Sequence, residues 1–183
     1  LDFLWTQEKY TKALKFAAKY HNNQKVPGTD FPYIIHPVNV AMEILAALPF
    51  EKKISDPDLC VECALLHDVI EDTKADYDTV LSLFGKKTAA GVLALSKNKD
   101  FSDKTKAMKD SLKRIKEQPF EIWLVKIADR ISNLCKPPLY WNNEKTENYS
   151  KEAVLILNEL GKGSDYLSKR LEQKIEEYKS YWK

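Results

Sequence analysis

Several things are missing from this chain, and each absence narrows what it can be. Its 183 residues contain no apolar run approaching membrane-spanning length. No basic-then-apolar leader pattern opens it, although residue 1 is Leu and the natural start can lie upstream. Cysteine is scarce, and three is an odd count for a disulfide framework. Cys60 and Cys63 form a C-x-x-C inside an apolar helical run, with no second pair to complete a zinc site, so buried packing thiols are expected. A charge excess is also lacking. With 29 basic and 27 acidic residues the formal net charge is +2, so any basic function must be local. There is no internal repeat, no low-complexity tract and no convincing strand alternation. These absences leave a soluble globular protein, expected in the cytoplasm, with neither a nucleic-acid nor a membrane partner. They leave its oligomeric state open.

What is present has helical period. Leu14, Ala17, Ala18 and His21 share a helical spacing over about Thr6 to Tyr20. A breaker-rich loop, His21 to Pro32, leads to Tyr33-Ile34-Ile35-His36-Pro37, with Pro37 in the first turn of a helix running to about Leu48. Asp56-Pro57 opens a third helix. Asp76 is placed to cap a short helix ended by Gly85, and another runs from Lys87 to Leu95. Lys97 to Lys116 is dense in lysine with Asp100, Asp103 and Asp110 interleaved. It reads as a solvated helix face, with a phosphate-attracting rim as the alternative. Glu121 to Leu134 is strongly apolar and ends before Pro137-Pro138. Two amphipathic helices, at about 147–182, close the chain around Gly161-Lys162-Gly163. The expected architecture is an all-α bundle forming one domain over 1–183.

The stretch that carries chemistry is Ala64-Leu65-Leu66-His67-Asp68-Val69-Ile70-Glu71-Asp72-Thr73. Apolar residues on both sides draw the His-Asp pair inward, and a buried His and Asp need a partner such as a divalent cation. Read as one continuous helix, it stacks His67 below Glu71 and Asp68 below Asp72. His36, at a helix start, and Asp129, inside an apolar run, complete a set of two imidazoles and two carboxylates. Few N and O ligands leave positions open for water and substrate. Mn²⁺ fits this hard set, and Mg²⁺, Fe²⁺ and Zn²⁺ remain candidates. Glu71 and Asp72 are placed to orient or deprotonate a water. Asn133, four residues after Asp129, can hydrogen-bond a substrate, and Lys126 can neutralise phosphate unless it simply snorkels to the surface.

Three motifs in this order, Tyr33-Ile34-Ile35-His36-Pro37, Ala64 to Thr73, and Val125-Lys126-Ile127-Ala128-Asp129-Arg130-Ile131-Ser132-Asn133-Leu134, resemble the HD-domain hydrolases of the Rel/Spo type. The similarity covers roughly residues 6 to 160. With no room for a synthetase domain, the chain resembles the stand-alone small alarmone hydrolases. The resemblance implies an HD-domain helical bundle with Mn²⁺ on His36, His67, Asp68 and Asp129. It implies Glu71 and Asp72 as the water-activating pair and Asn133 at the ribose. The implied reaction removes the 3′-pyrophosphate of guanosine tetra- or pentaphosphate.

The chain departs from the family pattern twice. Val26 stands where an arginine that stacks on guanine is expected, leaving Lys25 as the substitute contact. Cys135-Lys136-Pro137-Pro138 replaces a segment that usually carries an arginine. The departures favour, as the second reading, the same metal chemistry on another phosphorylated nucleotide. Candidates are adenosine alarmones, the 2′-phosphate of NADPH, or the product of a toxic synthetase that the chain neutralises as an antitoxin. A non-catalytic nucleotide-binding module is the third reading.

Overall fold

A computed structural model describes residues 4–182. Among them the fold is helical, with one isolated antiparallel bridge between Lys25 and Pro32. No described helix is long and apolar enough to cross a membrane. The elements are α1 (Gln7–Tyr20), α2 (Ile35–Ala47), α3 (Pro57–Leu66), α4 (Val69–Asp72), α5 (Tyr77–Leu95), α6 (Lys104–Lys116), α7 (Phe120–Asn133), α8 (Asn143–Leu160) and α9 (Asp165–Tyr178).

The bundle is built around α7. Every residue from Glu121 to Ile131 is buried, so this helix meets protein on all sides. It packs against α2, α3, α8 and α9. Helix α3 is buried from Leu59 to Leu66 and also contacts α1, α2 and α5. Close approach of α5 to α3 and α7 requires Gly91. A Cβ there would lie 2.5 Å from Ile122 Cδ1 and 2.9 Å from Cys63 Sγ. Cys60 and Cys63 are buried, and burial raises both thiols well above their ordinary pKa, as suits packing rather than redox chemistry.

Several helix boundaries follow local chemistry. Asp56 caps α3 through the Leu59 amide (3.2 Å), and Pro57 fills the first turn. Asp76 caps α5 through the Thr79 amide (2.8 Å), and Gly85, at φ +83°, breaks that helix where the sequence placed the break. Asn142 caps α8 through the Lys145 amide (2.9 Å), which starts that helix four residues before the expected Glu147. In α1 the buried positions are Ala13 and Ala17, while Ala18 is exposed. Helix α6 buries Ala107, Met108, Leu112 and Ile115 and turns Lys106, Lys109, Lys113 and Lys116 outward, so this part of the lysine-rich segment is a solvated face. Arg170 on α9 grips buried Glu43 on α2 with two bonds of 2.7 and 2.8 Å, tying the C-terminal helices to the bundle.

One structural expectation fails. His67 and Asp68 do not lie within a continuous helix: α3 ends at Leu66 and α4 begins at Val69. The His67 ring explains the interruption. Its Nδ1 lies 2.8 Å from the Ala64 carbonyl, the acceptor that the Asp68 amide would use in an unbroken helix.

The junction of α3 and α7 supplies a stability test. Glu121, on the buried helix, accepts from the Ser55 and Asp56 amides, both at 2.9 Å. Glu121→Ala leaves these donors without their carboxylate and opens a void, so it should cost about 2–4 kcal/mol. Urea unfolding checks this: the midpoint should fall with m unchanged, and a loss under about 0.5 kcal/mol would contradict the account.

Candidate functional site

Donor atoms from three parts of the fold meet where α2, the α3–α4 junction and α7 come together. His36, in the first turn of α2, contributes Nε2. His67, at the end of α3, contributes Nε2, and Asp129 on α7 contributes Oδ1; these three atoms lie within 4.8 Å of one another. The two imidazole nitrogens are 3.2 Å apart. Asp129 Oδ1 is 3.3 Å from His36 Nε2 and 3.7 Å from His67 Nε2. Asp68 Oδ2 approaches the same nitrogens at 2.9 Å (His67) and 3.6 Å (His36).

Each of these groups is held from behind. The Ala64 carbonyl accepts from the Nδ1–H of His67, which leaves Nε2 as the ring nitrogen that faces the centre. Ser132 Oγ lies 3.3 Å from His36 Nδ1. Asp129 is anchored twice: Lys126 Nζ donates to Oδ2 (2.9 Å) and Asn133 Nδ2 to Oδ1 (2.6 Å). The Tyr33 hydroxyl donates to Asp68 Oδ2 at 2.5 Å. Tyr33 is itself backed by His21, whose ring centroid lies 4.8 Å away. The Gln24 side chain joins His21 Nδ1 (2.7 Å) to the Asp72 carbonyl (2.8 Å).

This arrangement fits a divalent cation. Ligands held about 2.0–2.2 Å from one ion lie about 3 Å apart when adjacent, close to the separations just given. Two imidazole nitrogens facing each other at 3.2 Å cannot both carry a proton there, so at least one presents a bare lone pair. The electrostatics agree. Burial alone would lower the His67 pKa, but the charges of Asp68 and Asp129 reverse that and push it up to about 9. The two carboxylates are held below their ordinary range despite burial, chiefly by His67 at Asp68 and by Lys126 at Asp129. Without an ion, the centre gathers positive charge from a proton.

Beside these donors a cavity opens, lined among others by Tyr33, Glu71, Asp72, Lys97, Asn133 and Tyr149. Glu71 is engaged: its Oε2 accepts the Lys97 amide at 2.7 Å. Burial, then the charges of Asp68 and Glu71, push the Asp72 carboxyl up to about 6. Lys126 also lines the cavity, but it is 6% exposed and bound to Asp129, so it neither snorkels nor offers a free ammonium. Lys25 lies elsewhere. Its exposed ammonium pairs with Asp30 at 2.6 Å, and it does not line the cavity. Its loop rests on the 134–142 segment, where Gly28, at φ +78°, leaves no room for a Cβ against Pro138.

The family model described as HD domain matches residues 13–162. The chain belongs to the HD-domain family. A zebrafish protein named guanosine-3′,5′-bis(diphosphate) 3′-pyrophosphohydrolase MESH1 is 28% identical over 168 residues, covering 88% of this chain and 89% of that protein. An Aquifex aeolicus protein named guanosine-3′,5′-bis(diphosphate) 3′-pyrophosphohydrolase is 33% identical over 152 residues, and the match spans 20% of its length. A solved structure described as a metazoan ortholog of SpoT that hydrolyses ppGpp superposes with a TM-score of 0.80 at 26% identity, covering 92% of this chain and 94% of that one. HD-domain hydrolases use divalent metals, and the His36, His67 and Asp129 cluster of this HD domain is a possible site for one.

The supports behind the donors were harder to read from sequence. Tyr33 falls in the first motif, three residues before His36. Ser132 stands beside Asn133. Tyr149 and Glu152 come from α8, and their arrival at the cavity is a tertiary fact. Tyr33→Phe should leave the fold intact and weaken Mn²⁺ binding by roughly ten- to a hundredfold, the usual effect of losing a group that orients a ligand. Calorimetric titration measures this, and unchanged affinity would show that Asp68 needs no support.

Proposed function

We propose that the protein is a metal-dependent hydrolase that removes the 3′-diphosphate of guanosine tetra- and pentaphosphate alarmones, yielding pyrophosphate and the 5′-nucleotide. We take the chain as one domain acting in the cytoplasm. The observation that carries the reading is the convergence of His36, His67, Asp68 and Asp129 beside an acid-lined cavity. It is strengthened by a match that spans most of the zebrafish relative.

In this reading His36, His67, Asp68 and Asp129 hold one divalent ion, with Mn²⁺ preferred and Mg²⁺, Fe²⁺ and Zn²⁺ compatible with the same donors. Such an ion polarises a phosphoryl oxygen and makes water more acidic. The protein's own groups do the rest. Lys126 and Asn133 fix the Asp129 carboxylate, and Tyr33 fixes Asp68. The amide of Asn133 faces the cavity and can reach a ribose hydroxyl as well as Asp129. Glu71 and Asp72 form the water-activating pair, with the proton settling on Asp72, whose raised pKa suits a base working near neutrality.

Base reading favours a second purine. Val26 cannot stack as a guanidinium does, and Lys25 is paired with Asp30. The loss of one stacking contact is worth about tenfold, and it falls on guanine and adenine alike. The test measures pyrophosphate release with Mn²⁺ from guanosine and adenosine 3′,5′-bis(diphosphates). Both should turn over, with kcat/KM within about two powers of ten, and Val26→Arg should improve the guanosine substrate mainly through KM. Absence of pyrophosphate release from either nucleotide would overturn the function. Strong guanine selectivity, with no gain from the arginine, would overturn the account of base reading.

Asp72 supplies a second test. Its carboxyl binds a proton more tightly in the folded metal-free protein than in the unfolded chain, so its ionisation opposes folding as pH rises from about 4 to 6. Metal-free Asp72→Asn should therefore melt higher than wild type at pH 7 and equally at pH 4, while losing roughly 10²–10⁴ in kcat with metal. A lower melting temperature at pH 7 would show that Asp72 is held for stability.

A further inference from the structure

The alarmone reading leaves one problem of charge. A nucleotide with diphosphates at both 5′ and 3′ positions is a polyanion, and it must enter a cavity that Asp68, Glu71, Asp72, Asp129 and Glu152 line. Three basic side chains other than histidine share that lining: Lys97, Lys126 and Arg130. Lys126 is buried and committed to Asp129. Arg130 is buried as well. It donates to Glu152 (3.1 Å) and to the Tyr149 carbonyl (3.3 Å), and its plane covers the Tyr149 ring at 4.0 Å.

Lys97 differs from both. Its side chain is 46% exposed, and its ammonium faces Glu71 Oε1 at 3.6 Å, beyond hydrogen-bonding distance. Its backbone, by contrast, is pinned: the Lys97 amide donates to Glu71 Oε2 at 2.7 Å. Lys99 secures the same turn by donating to the Glu71 carbonyl at 2.6 Å. The stem of Lys97 is thus fixed at the cavity wall, while its ammonium keeps hydrogens free. The surroundings favour the cation. Burial lowers its pKa, but Glu71 and then Asp129 more than restore it.

We propose that Lys97 is a substrate-binding residue, moving its ammonium from Glu71 onto the diphosphate that leaves. This rests on the alarmone reading of the cavity. It divides the lysine-rich segment into a solvated face on α6 and one functional cation just before it. It also couples binding to chemistry, because an ammonium that turns to the anion leaves Glu71 Oε1 without its cationic neighbour.

The test compares Lys97→Met, Lys97→Arg and Lys109→Met, the last on the exposed face of α6. All three keep the backbone amide on Glu71. Lys97→Met should raise KM for guanosine 3′,5′-bis(diphosphate) by roughly ten- to a hundredfold, with the larger share in KM rather than kcat. Inhibition by inorganic pyrophosphate should weaken by a similar factor. Lys97→Arg should restore both, and Lys109→Met should change neither. A drop in kcat or melting temperature with pyrophosphate inhibition unchanged would overturn the proposal and leave Lys97 as a prop for Glu71. Should the wild type release no pyrophosphate from any nucleotide, the alarmone reading fails. Calorimetry of inorganic pyrophosphate binding to the Mn²⁺-loaded wild type and Lys97→Met then decides the role of Lys97 by itself. Equal affinity would overturn it.

Discussion

The site depends on a competition for one backbone carbonyl. Ala64 could accept from the Asp68 amide and carry α3 forward as an unbroken helix. It accepts instead from the His67 ring. That choice ends α3 at Leu66 and leaves the other ring nitrogen of His67 facing His36 and Asp129. His67 and Asp68 keep right-handed helical backbone angles, and the Asp68 carboxylate approaches the same imidazoles as Asp129.

The second constraint is charge inside an apolar core. Helix α7 is buried along nearly its whole length, yet it carries Lys126, Asp129 and Arg130. Its ionic groups are paired: Lys126 and Asn133 hold Asp129, and Glu152 with Tyr149 holds Arg130, although the buried Arg130 Nε has no partner of its own. What these pairings leave unanswered is the meeting of Asp68 and Asp129 with two imidazoles. Bare carboxylates there are costly, and a cation is the economical solution. The helices and their ends thus supply the donors, while Tyr33 before α2, Lys97 after α5, and Tyr149 and Glu152 on α8 line the cavity beside them. Donors held by packed helices suit a site in which the chemistry is fixed by the fold.

Much of this was legible in the sequence, for identifiable reasons. The apolar stretch of Glu121 to Leu134 and the capping residues Asp56 and Asp76 act locally, and each left its mark on neighbouring residues. His36, His67, Asp68 and Asp129 stood out because ionisable residues inside apolar runs demand partners. The break at His67 was not legible, because a ring bonding to a carbonyl three residues back leaves no trace in hydrophobic spacing. The commitments of Lys126 to Asp129 and of Lys25 to Asp30 were hidden likewise. A lysine near a site reads as available until its partner is seen. Tyr149 and Glu152 reach the cavity through the packing of α8 on α7, which no local pattern records.

The central claim is that four donors hold one divalent ion in place of a proton. Titrating Mn²⁺ into the metal-free protein near pH 7.5, in buffers of differing ionisation enthalpy, tests it directly. The account predicts one ion bound per chain with release of about one proton, since His67 has a pKa of about 9 without metal and must lose that proton to become a ligand. Binding without proton release, or the same binding by His67→Ala, would contradict it.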